Sequence, residues 1–530
     1  MSIIAKNISY THPDREILFD NISFSINDGQ KISLIGNNGS GKSTILKIIC
    51  GSLQKTKGEL SISGDLYYVP QHFGQYDGMT ISEALGIDKK INALNSIIEG
   101  DVSEENFSIL NDDWNIEERA ISALNIWDLG NIHLSQKMEF LSGGEKTKVF
   151  LSGIIIHSPD IIIMDEPSNH LDVRSRQQLY DFIKNSNKTM IVVSHDRTLL
   201  NLLDSTYELT KNDIKVYGGN YEFYKEKKNE TLNALQMHLD EKEKELRKAR
   251  KLEKELLEKK QKRDTRGKNQ KLKEGTLPAL MNKLKSKAEE SSAKLKDTHS
   301  QKITSISDDL INIRKKMDDT KSLKLDIENA KLHNGKELII AKEINFGYND
   351  KLLWENNLSF LINSGERVLI SGANGSGKTT LLKLMLGKLA PKVGNLTKTD
   401  FKYVYIDQEY SIINDEMSVL NQVYSYNKRN LEEHEIKTLL HRFLFPLEVW
   451  DKPCHQLSGG EKMRLLFCCL IAENNAPDIF VLDEPTNNLD IKSIEIITDV
   501  LKTYKGTIIM ISHDKYFTKD IGINRNIELQ

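Results

Sequence analysis

A glycine-rich octapeptide occurs twice in this chain, and the sequence around it repeats in step. Gly36-Asn37-Asn38-Gly39-Ser40-Gly41-Lys42-Ser43 returns as Gly372-Ala373-Asn374-Gly375-Ser376-Gly377-Lys378-Thr379. Upstream, Asn21-Ile22-Ser23-Phe24 returns as Asn357-Leu358-Ser359-Phe360. Downstream, Gln71 returns as Gln408, Leu141-Ser142-Gly143-Gly144-Glu145 as Leu457-Ser458-Gly459-Gly460-Glu461, and Asp165-Glu166-Pro167 as Asp483-Glu484-Pro485. Ser194-His195-Asp196 and Ser512-His513-Asp514 close the two series. The same motifs in the same order describe one domain present twice. At 530 residues the chain is in any case too long for a single core.

The copies lie 337 residues apart at the glutamine (71 to 408) but 316 apart at the Ser-Gly-Gly segment (142 to 458), so the first carries 21 residues more between those points. That excess is expected within about 88–118, as a short arm. Each octapeptide sits between a strand pattern (31–35; 367–371) and a helix pattern (42–50; 378–386). The apolar runs 161–164 and 479–482 read as buried strands, as do 190–193 and 508–511. Strands alternating with helices predict an α/β fold with a mainly parallel core in each copy.

Between the copies, from roughly 221 to 331, the chain turns rich in Lys and Glu. Leu232, Leu235, Leu239, Leu246 and later Leu277, Leu280 and Leu284 recur there at helical spacing. Gly267, Gly275 and Pro278 predict a turn between two long helices, hence an antiparallel hairpin with arms of about 40 residues, roughly 60 Å each. Residues 261–290 hold nine basic side chains (Lys262, Arg263, Arg266, Lys268, Lys271, Lys273, Lys283, Lys285, Lys287) against four acidic ones, on a chain whose net charge is −3. Such a local excess suits phosphate neutralisation, which gives sequence-independent affinity for RNA. The mixed Lys/Glu stems are expected to be solvated faces. No apolar run approaches the ~20 residues of a membrane span, and the first residues do not read as a secretory signal, so a cytoplasmic protein is expected. The four cysteines show no metal or disulfide spacing and are expected to be reduced and structural.

The chemistry follows from the repeated residues. Glycines in a Gly-x4-Gly-Lys-[Ser/Thr] loop let backbone N–H groups close around phosphate at a helix N-terminus. Lys42 and Lys378 would reach the β- and γ-phosphates, while Ser43 and Thr379 would ligate Mg²⁺. Asp165 and Asp483 end apolar strands, where a carboxylate can hold Mg²⁺ at the strand tip. Glu166 and Glu484 beside them are suited to polarise an attacking water. A lone histidine is more often a packed core residue, but His195 and His513 recur at one place in both copies, which favours contact with the γ-phosphate.

Taken together, the glycine-rich loop, the glutamine, Leu-Ser-Gly-Gly-Glu, Asp-Glu-Pro and Ser-His-Asp resemble the ABC ATPases. Two fused cassettes, a long helical linker, Glu166-Pro167-Ser168-Asn169-His170-Leu171-Asp172 and Tyr217-Gly218-Gly219-Asn220-Tyr221 resemble the ABC-F family in particular; the second copy has Asn488 where the first has His170. The resemblance implies an ATP hydrolase of two ABC cassettes, each a mixed sheet with a helical subdomain, at 1–220 and 336–530, joined by a helical hairpin at 221–335. It implies head-to-tail sites within a monomer. Site one would join Lys42, Gln71, Asp165, Glu166 and His195 to Ser458 and Gly460. Site two would join Lys378, Gln408, Asp483, Glu484 and His513 to Ser142 and Gly144, with Asp172 and Asp490 at the seam. ATP would be held by residues 36–44 and 372–380, including Thr44 and Thr380. Gln71 and Gln408 would add to the Mg²⁺ ligands. Tyr348 occupies the family's adenine-stacking place in the second copy; in the first, either His12 or Tyr10 would fill it.

What the family implies for function is ribosome binding at the exit-tRNA site, with the linker reaching toward peptidyl-tRNA and rRNA, either as a translation factor or as protection against antibiotics. A cytosolic ATPase subunit of a transporter with a separate membrane partner is the alternative, although a linker of this length has no use there. A DNA-acting ABC ATPase is disfavoured because each cassette is continuous and the helices fall between them.

Overall fold

The apolar runs that stop at aspartate form the centre of each cassette. In the computed structural model, which describes residues 2–271, 297, 300–314, 333 and 335–529 apart from 14, 16, 38, 102, 349, 350, 374, 408, 409, 474–476 and 488, Ile161–Asp165 and Ile479–Asp483 are strands buried at every position. Thr189–Val193 and Thr507–Ile511 are equally buried beside them. Strands covered on both faces read as unbroken apolar runs without polar alternation, as parallel sheets require.

The first central sheet runs in the order Leu66–Val69, Ile161–Asp165, Thr189–Val193, Lys31–Ile35, Ser205–Leu209, Ile214–Tyr217. All pairings are parallel except the last. The second runs Tyr403–Ile406, Ile479–Asp483, Thr507–Ile511, Arg367–Gly372, Arg525–Leu529, parallel throughout. Each cassette adds a three-stranded antiparallel sheet, Ile17–Ile26, Ser2–Thr11, Lys57–Ser63 in the first and Leu358–Asn363, Glu337–Asn345, Val393–Lys398 in the second. The helix after each glycine-rich loop packs between the two sheets: Ile45, Leu46, Ile48 and Ile49 share one core with Phe19, Ile22, Ile161 and Ile191.

This topology decides where the chemistry falls. The strands ending at Ile35, Asp165 and Val193 are sheet neighbours, and parallel strands bring their carboxyl ends to one edge. Ligands of open parallel sheets bind at that edge. The glycine-rich loop, Asp165-Glu166 and His195 therefore converge although Gly36 and His195 are 159 positions apart (195 − 36).

Where the extra residues of the first cassette are expected, two helices, Asp88–Ile98 and Glu104–Leu110, pack on each other before Ile116–Ile126. Phe107 and Trp114 meet edge to face at 6.1 Å beside them. The chain between the cassettes contributes a separate compact unit, Phe223–Ser322, while Met1–Glu222 and Leu323–Gln530 form the other. In the former, Tyr221–Lys271 continues as one helix of 51 residues, longer than the expected 40. It passes through Gly267, expected to mark the turn, because one glycine in a helix costs only about 1 kcal/mol against alanine and the Lys/Glu/Leu-rich flanks are strong helix formers. The returning helical stretch lies alongside, with Lys242 paired to Asp309 at 3.1 Å and Glu243 to Arg314 at 2.7 Å. Ile306, Leu310 and Ile313 are buried at helical spacing. Gly275, Pro278, the leucines at 277, 280 and 284, and the part of the basic stretch beyond Lys271 lie outside the described residues. Among the described residues no helix is long and apolar enough to cross a membrane.

Candidate active site

The helix of each phosphate loop starts from a glycine in the left-handed region, Gly41 at φ 94° and Gly377 at φ 87°. A side chain there would be strained, and at Gly41 a Cβ would sit 2.9 Å from Leu18 and Phe19. The loop carbonyls hold the lysine that follows. Lys42 Nζ donates to the carbonyls of Gly36 (2.9 Å) and Asn37 (3.3 Å), and Lys378 Nζ to those of Gly372 and Ala373 (both 2.9 Å). Burial lowers the pKa of both ammonium groups, against the opposing pull of nearby carboxylates. A phosphate in the loop would take over these donors.

A cavity of about 270 Å³ opens at the first loop. It is bounded by Gly39, Gly41, Lys42, Ser43 and Thr44, by Gln71, Asp165, Glu166 and His195, and by His12 and Leu18. His12 lines this cavity, whereas Tyr10 packs on Phe19 against the core. In the second cassette Tyr348 is exposed, lies edge-on to Phe346 at 5.3 Å, and has its hydroxyl 3.5 Å from Thr380 Oγ1.

At each strand tip a hydroxyl meets a carboxylate. Thr379 Oγ1 donates to Asp483 Oδ2 at 3.0 Å, and the Ser43 side chain hydrogen-bonds Asp165. Tyrosines from the neighbouring strand join them, Tyr405 to Asp483 at 3.2 Å and Tyr68 to Asp165 at 3.5 Å. Burial raises the pKa of both carboxyls, and these hydrogen bonds oppose it. Asp165 Oδ1 is buried without a partner among the described residues. One hydroxyl and one carboxylate with a free lone pair fit a Mg²⁺ that draws its remaining ligands from phosphate and water. They do not fit an all-protein metal cage, and among the described residues no cluster of His, Cys, Asp and Glu forms one.

Glu166 and Glu484 occupy backbone conformations rare for a non-glycine residue, φ 53° and φ 51°. Their N–H groups donate to Val193 O (2.8 Å) and Ile511 O (2.9 Å), which fixes the turn. Strain of about 1–3 kcal/mol per residue persists only where surrounding contacts enforce it, and such sites gather at functional centres. Burial, with the adjacent aspartate, pushes Glu166 up to about 8; burial, partly offset by Arg176, raises Glu484 to about 7. The Nε2 atoms of His195 and His513 lie 3.3 and 3.2 Å from the respective carboxylates. Burial, with Lys42 acting on one and Arg176 on the other, takes both imidazoles down to about 4, so they are neutral and these contacts are not ion pairs.

Ser142 and Ser458 cap the 15-residue helices Gly143–His157 and Gly459–Glu473. In both, the serine N–H donates to the glutamate three residues on at 2.8 Å and the glutamate N–H donates back to the serine hydroxyl at 3.4 Å, a reciprocal box that satisfies N–H groups at the helix start. At Gly144 a Cβ would meet the His170 carbonyl at 2.7 Å, so the segment after Glu166 lies directly against this helix start. Across the cassettes, Asp490 acts on Lys42 and His195, and Asp172 on Lys378 and His513. Both aspartates also cap the helices that follow, bonding Ser175 N and Ser493 N at 2.8 and 2.7 Å. Asn38, Asn374, Gln408 and Asn488 lie outside the described residues. Sequence reasoning passed over Tyr68 and Tyr405, which recur at the same spacing as the two glutamines. Repeat alignment alone would have flagged them. It also passed over Trp354, whose Nε1–H donates to Ser376 O at 2.9 Å beneath the second loop.

Comparison with known proteins agrees with this geometry. The family described as ABC transporter matches residues 19–169 and 355–487, together more than half of the chain. The ATP-binding protein YdiF of Bacillus subtilis (strain 168) is 29% identical over 97% of this chain and 78% of its own length. ABC transporter F family member 2 of Arabidopsis thaliana is also 29% identical, over 99% of this chain and 76% of its own. ATP-binding protein Uup of Escherichia coli (strain K12) is 27% identical over 98% and 79%. Among solved structures, RNase-L Inhibitor superposes with a TM-score of 0.59 at 18% identity, over 98% of this chain and 87% of that one, a likeness of fold. A family match to both cassettes over more than half of the chain, and relatives of the F-family name aligned along nearly all of it, show that this chain belongs to the ABC transporter family as an ABC-F type ATPase.

Proposed function

We propose that the chain is a ribosome-associated ATPase in which two cassettes close on two ATP molecules and move a helical linker. The observation that carries this reading is the pairing of the same set of ATPase motifs in each cassette with a 51-residue helix between them. An ATPase subunit of a transporter has no use for such a helix. Relatives aligned along nearly the whole of this chain carry the F-family name, and a structural neighbour of 18% identity is described as a ribosome recycling factor in complex with a ribosomal stalk protein.

In the proposed cycle Lys42 and Lys378 bind the β- and γ-phosphates, and backbone N–H groups of 36–44 and 372–380 cradle them. Mg²⁺, when bound, neutralises the phosphate charge; Ser43, Asp165 and Gln71, and Thr379, Asp483 and Gln408, would hold it. His12 and Tyr348 flank the adenines. Closure brings Ser458 and Gly460 over the first nucleotide and Ser142 and Gly144 over the second, each presenting a helix N-terminus to the γ-phosphate. Glu166 and Glu484 polarise the attacking water, while His195 and His513 orient the γ-phosphate. Hydrolysis removes the group that joins the two cassettes, and the clamp opens. The linker (221–335) with its basic stretch would reach rRNA and peptidyl-tRNA from the exit-tRNA site, for translation or for protection against an antibiotic, in a cytoplasmic monomer.

The test is sedimentation with ribosomes in ATP and Mg²⁺. Glu166→Gln with Glu484→Gln is expected to trap the protein on ribosomes, with release on nucleotide exchange to ADP. A double mutant that stays wholly in the supernatant would refute the ribosomal reading. Its recovery with a membrane protein instead would favour the transporter alternative.

A further inference from the structure

The long helix that leaves the first cassette begins in contact with both cassettes. The N–H groups of a first helical turn have no partner within their own helix. Here Glu222 N, in the first turn of Tyr221–Lys271, donates to Asn201 Oδ1 at 2.9 Å. Asn201 ends Arg197–Leu200, the short helix that follows His195, so its side chain caps a helix other than its own. The second cassette holds the other end of the same amide. Asn201 Nδ2 donates to Tyr516 Oη at 3.0 Å, and the Tyr516 hydroxyl donates in turn to Glu222 Oε1 at 3.4 Å. An amide offers an acceptor and a donor at once, and a phenol can accept and donate, so three residues close a ring of hydrogen bonds.

Both cassette members of this ring sit on helices that leave the histidine loops. Asp196 caps Arg197–Leu200 and Asp514 caps Lys515–Ile521, each directly after its histidine. The two helices meet at a second rung, Arg197 with Asp520 at 3.1 Å, four residues away on each. Duplication alone does not produce this contact. The repeat that carries His195 to His513 carries Asn201 to Lys519 and Thr198 to Tyr516. The symmetry-related place therefore has a lysine and a threonine in place of the amide and the phenol. The chain builds the joint once, where the linker departs.

We propose that Asn201 and Tyr516 are positioning residues for the linker, forming a joint through which cassette closure fixes the first turn of its helix. With the cassettes together, Tyr516 anchors the Asn201 amide, and the amide caps Glu222 N. When they part, Tyr516 leaves with the second cassette, the amide loses its anchor, and the cap loosens. Because the helix runs on from that turn for 51 residues, the setting of its start bears on the whole element. The proposal rests on the reading of the cassettes as a clamp closed by ATP.

The test is hydrogen exchange, by mass spectrometry, of the amides at the start of the linker helix in the full-length chain. In Glu166→Gln/Glu484→Gln these amides are expected to exchange about fivefold more slowly with ATP and Mg²⁺ than with ADP, the effect of gaining one cap. Tyr516→Phe in that chain, which removes only the hydroxyl, is expected to shrink the difference below about twofold, and Asn201→Ala to abolish it by exchanging fast in both states. In the chain with both glutamates, Tyr516→Phe is expected to leave kcat and KM within about twofold, since neither atom of the joint touches nucleotide. A difference that survives Tyr516→Phe, or no difference in a chain that retains ATP, would overturn the proposal and leave the ATPase reading standing. A fall in kcat beyond that range would overturn it too, by putting the hydroxyl in the catalytic machinery. Failure of Glu166→Gln/Glu484→Gln to retain ATP would instead remove the clamp, and the joint would fall with it.

Discussion

Tyr68 and Tyr405 stand behind the carboxylates proposed to hold Mg²⁺, each reaching across from a neighbouring strand. Outer-shell partners of this kind typically change metal affinity by about 10- to 100-fold when removed. Tyr405→Phe is expected to raise the Mg²⁺ concentration for half-maximal ATPase about tenfold at site two, measured by Mg²⁺ titration in a Glu166→Gln background, with the fold intact by circular dichroism. Glu166 and Glu484 share an unusual backbone as well as a chemistry, so the informative change keeps the conformation and removes the charge. Glu484→Gln in a Glu166→Gln background is expected to lower kcat by at least about 100-fold while ATP binding, followed with a fluorescent analogue, stays within a few fold. A variant that loses binding and turnover together would point to a damaged loop.

Elements deliver these residues because helix and strand ends are fixed by local chemistry. The serine–glutamate box at each Ser-Gly-Gly helix satisfies orphan N–H groups, and Ser142→Ala is expected to cost about 1 kcal/mol, read as a lower urea midpoint with unchanged slope. The 51-residue helix makes a different point. Gly267 lies within it, where alanine would remove backbone freedom from the unfolded chain and add helix propensity. Gly267→Ala is expected to stabilise that segment by about 0.5–1 kcal/mol, seen as slower hydrogen exchange of neighbouring amides. Faster exchange would mean that the glycine's conformation is required there.

At the scale of the molecule the cassettes meet through more than nucleotide. Arg197, 3% exposed, pairs with Asp520 at 3.1 Å, two residues beyond the first cassette's His195. Asn201 Nδ2 donates to Tyr516 Oη at 3.0 Å, and Asn201 Oδ1 accepts from Glu222 N at 2.9 Å. The histidine loop of one cassette, the terminal helix of the other and the first turn of the long helix thus share a polar contact. Asp520 is partly exposed and its charge is screened, so a double-mutant cycle of Arg197→Met and Asp520→Asn is expected to give a coupling of only about 1 kcal/mol. Asp520→Asn alone, which strips a buried guanidinium of its partner, should destabilise more than the double change, as measured by thermal unfolding.

The sequence by itself determined the duplication, the α/β class, the phosphate loops and the glutamate–histidine pairs. Those depend on short-range requirements: glycine where φ is positive, apolar runs where a strand is covered on both faces, and a carboxylate where a strand ends at the ligand edge. Reading the residues twice, once in each copy, turned weak local signals such as a lone histidine into strong ones. The length of the linker helix escaped because a glycine's small penalty was weighed as a break, although its neighbours outvote it. Only the tertiary structure placed His12 in the lining of the first cavity and Tyr10 on Phe19, and put Tyr68, Tyr405 and Trp354 behind the site. Those are relations between residues far apart in the chain, fixed by which strand lies next to which and by which faces meet at the seam, and no local periodicity encodes them.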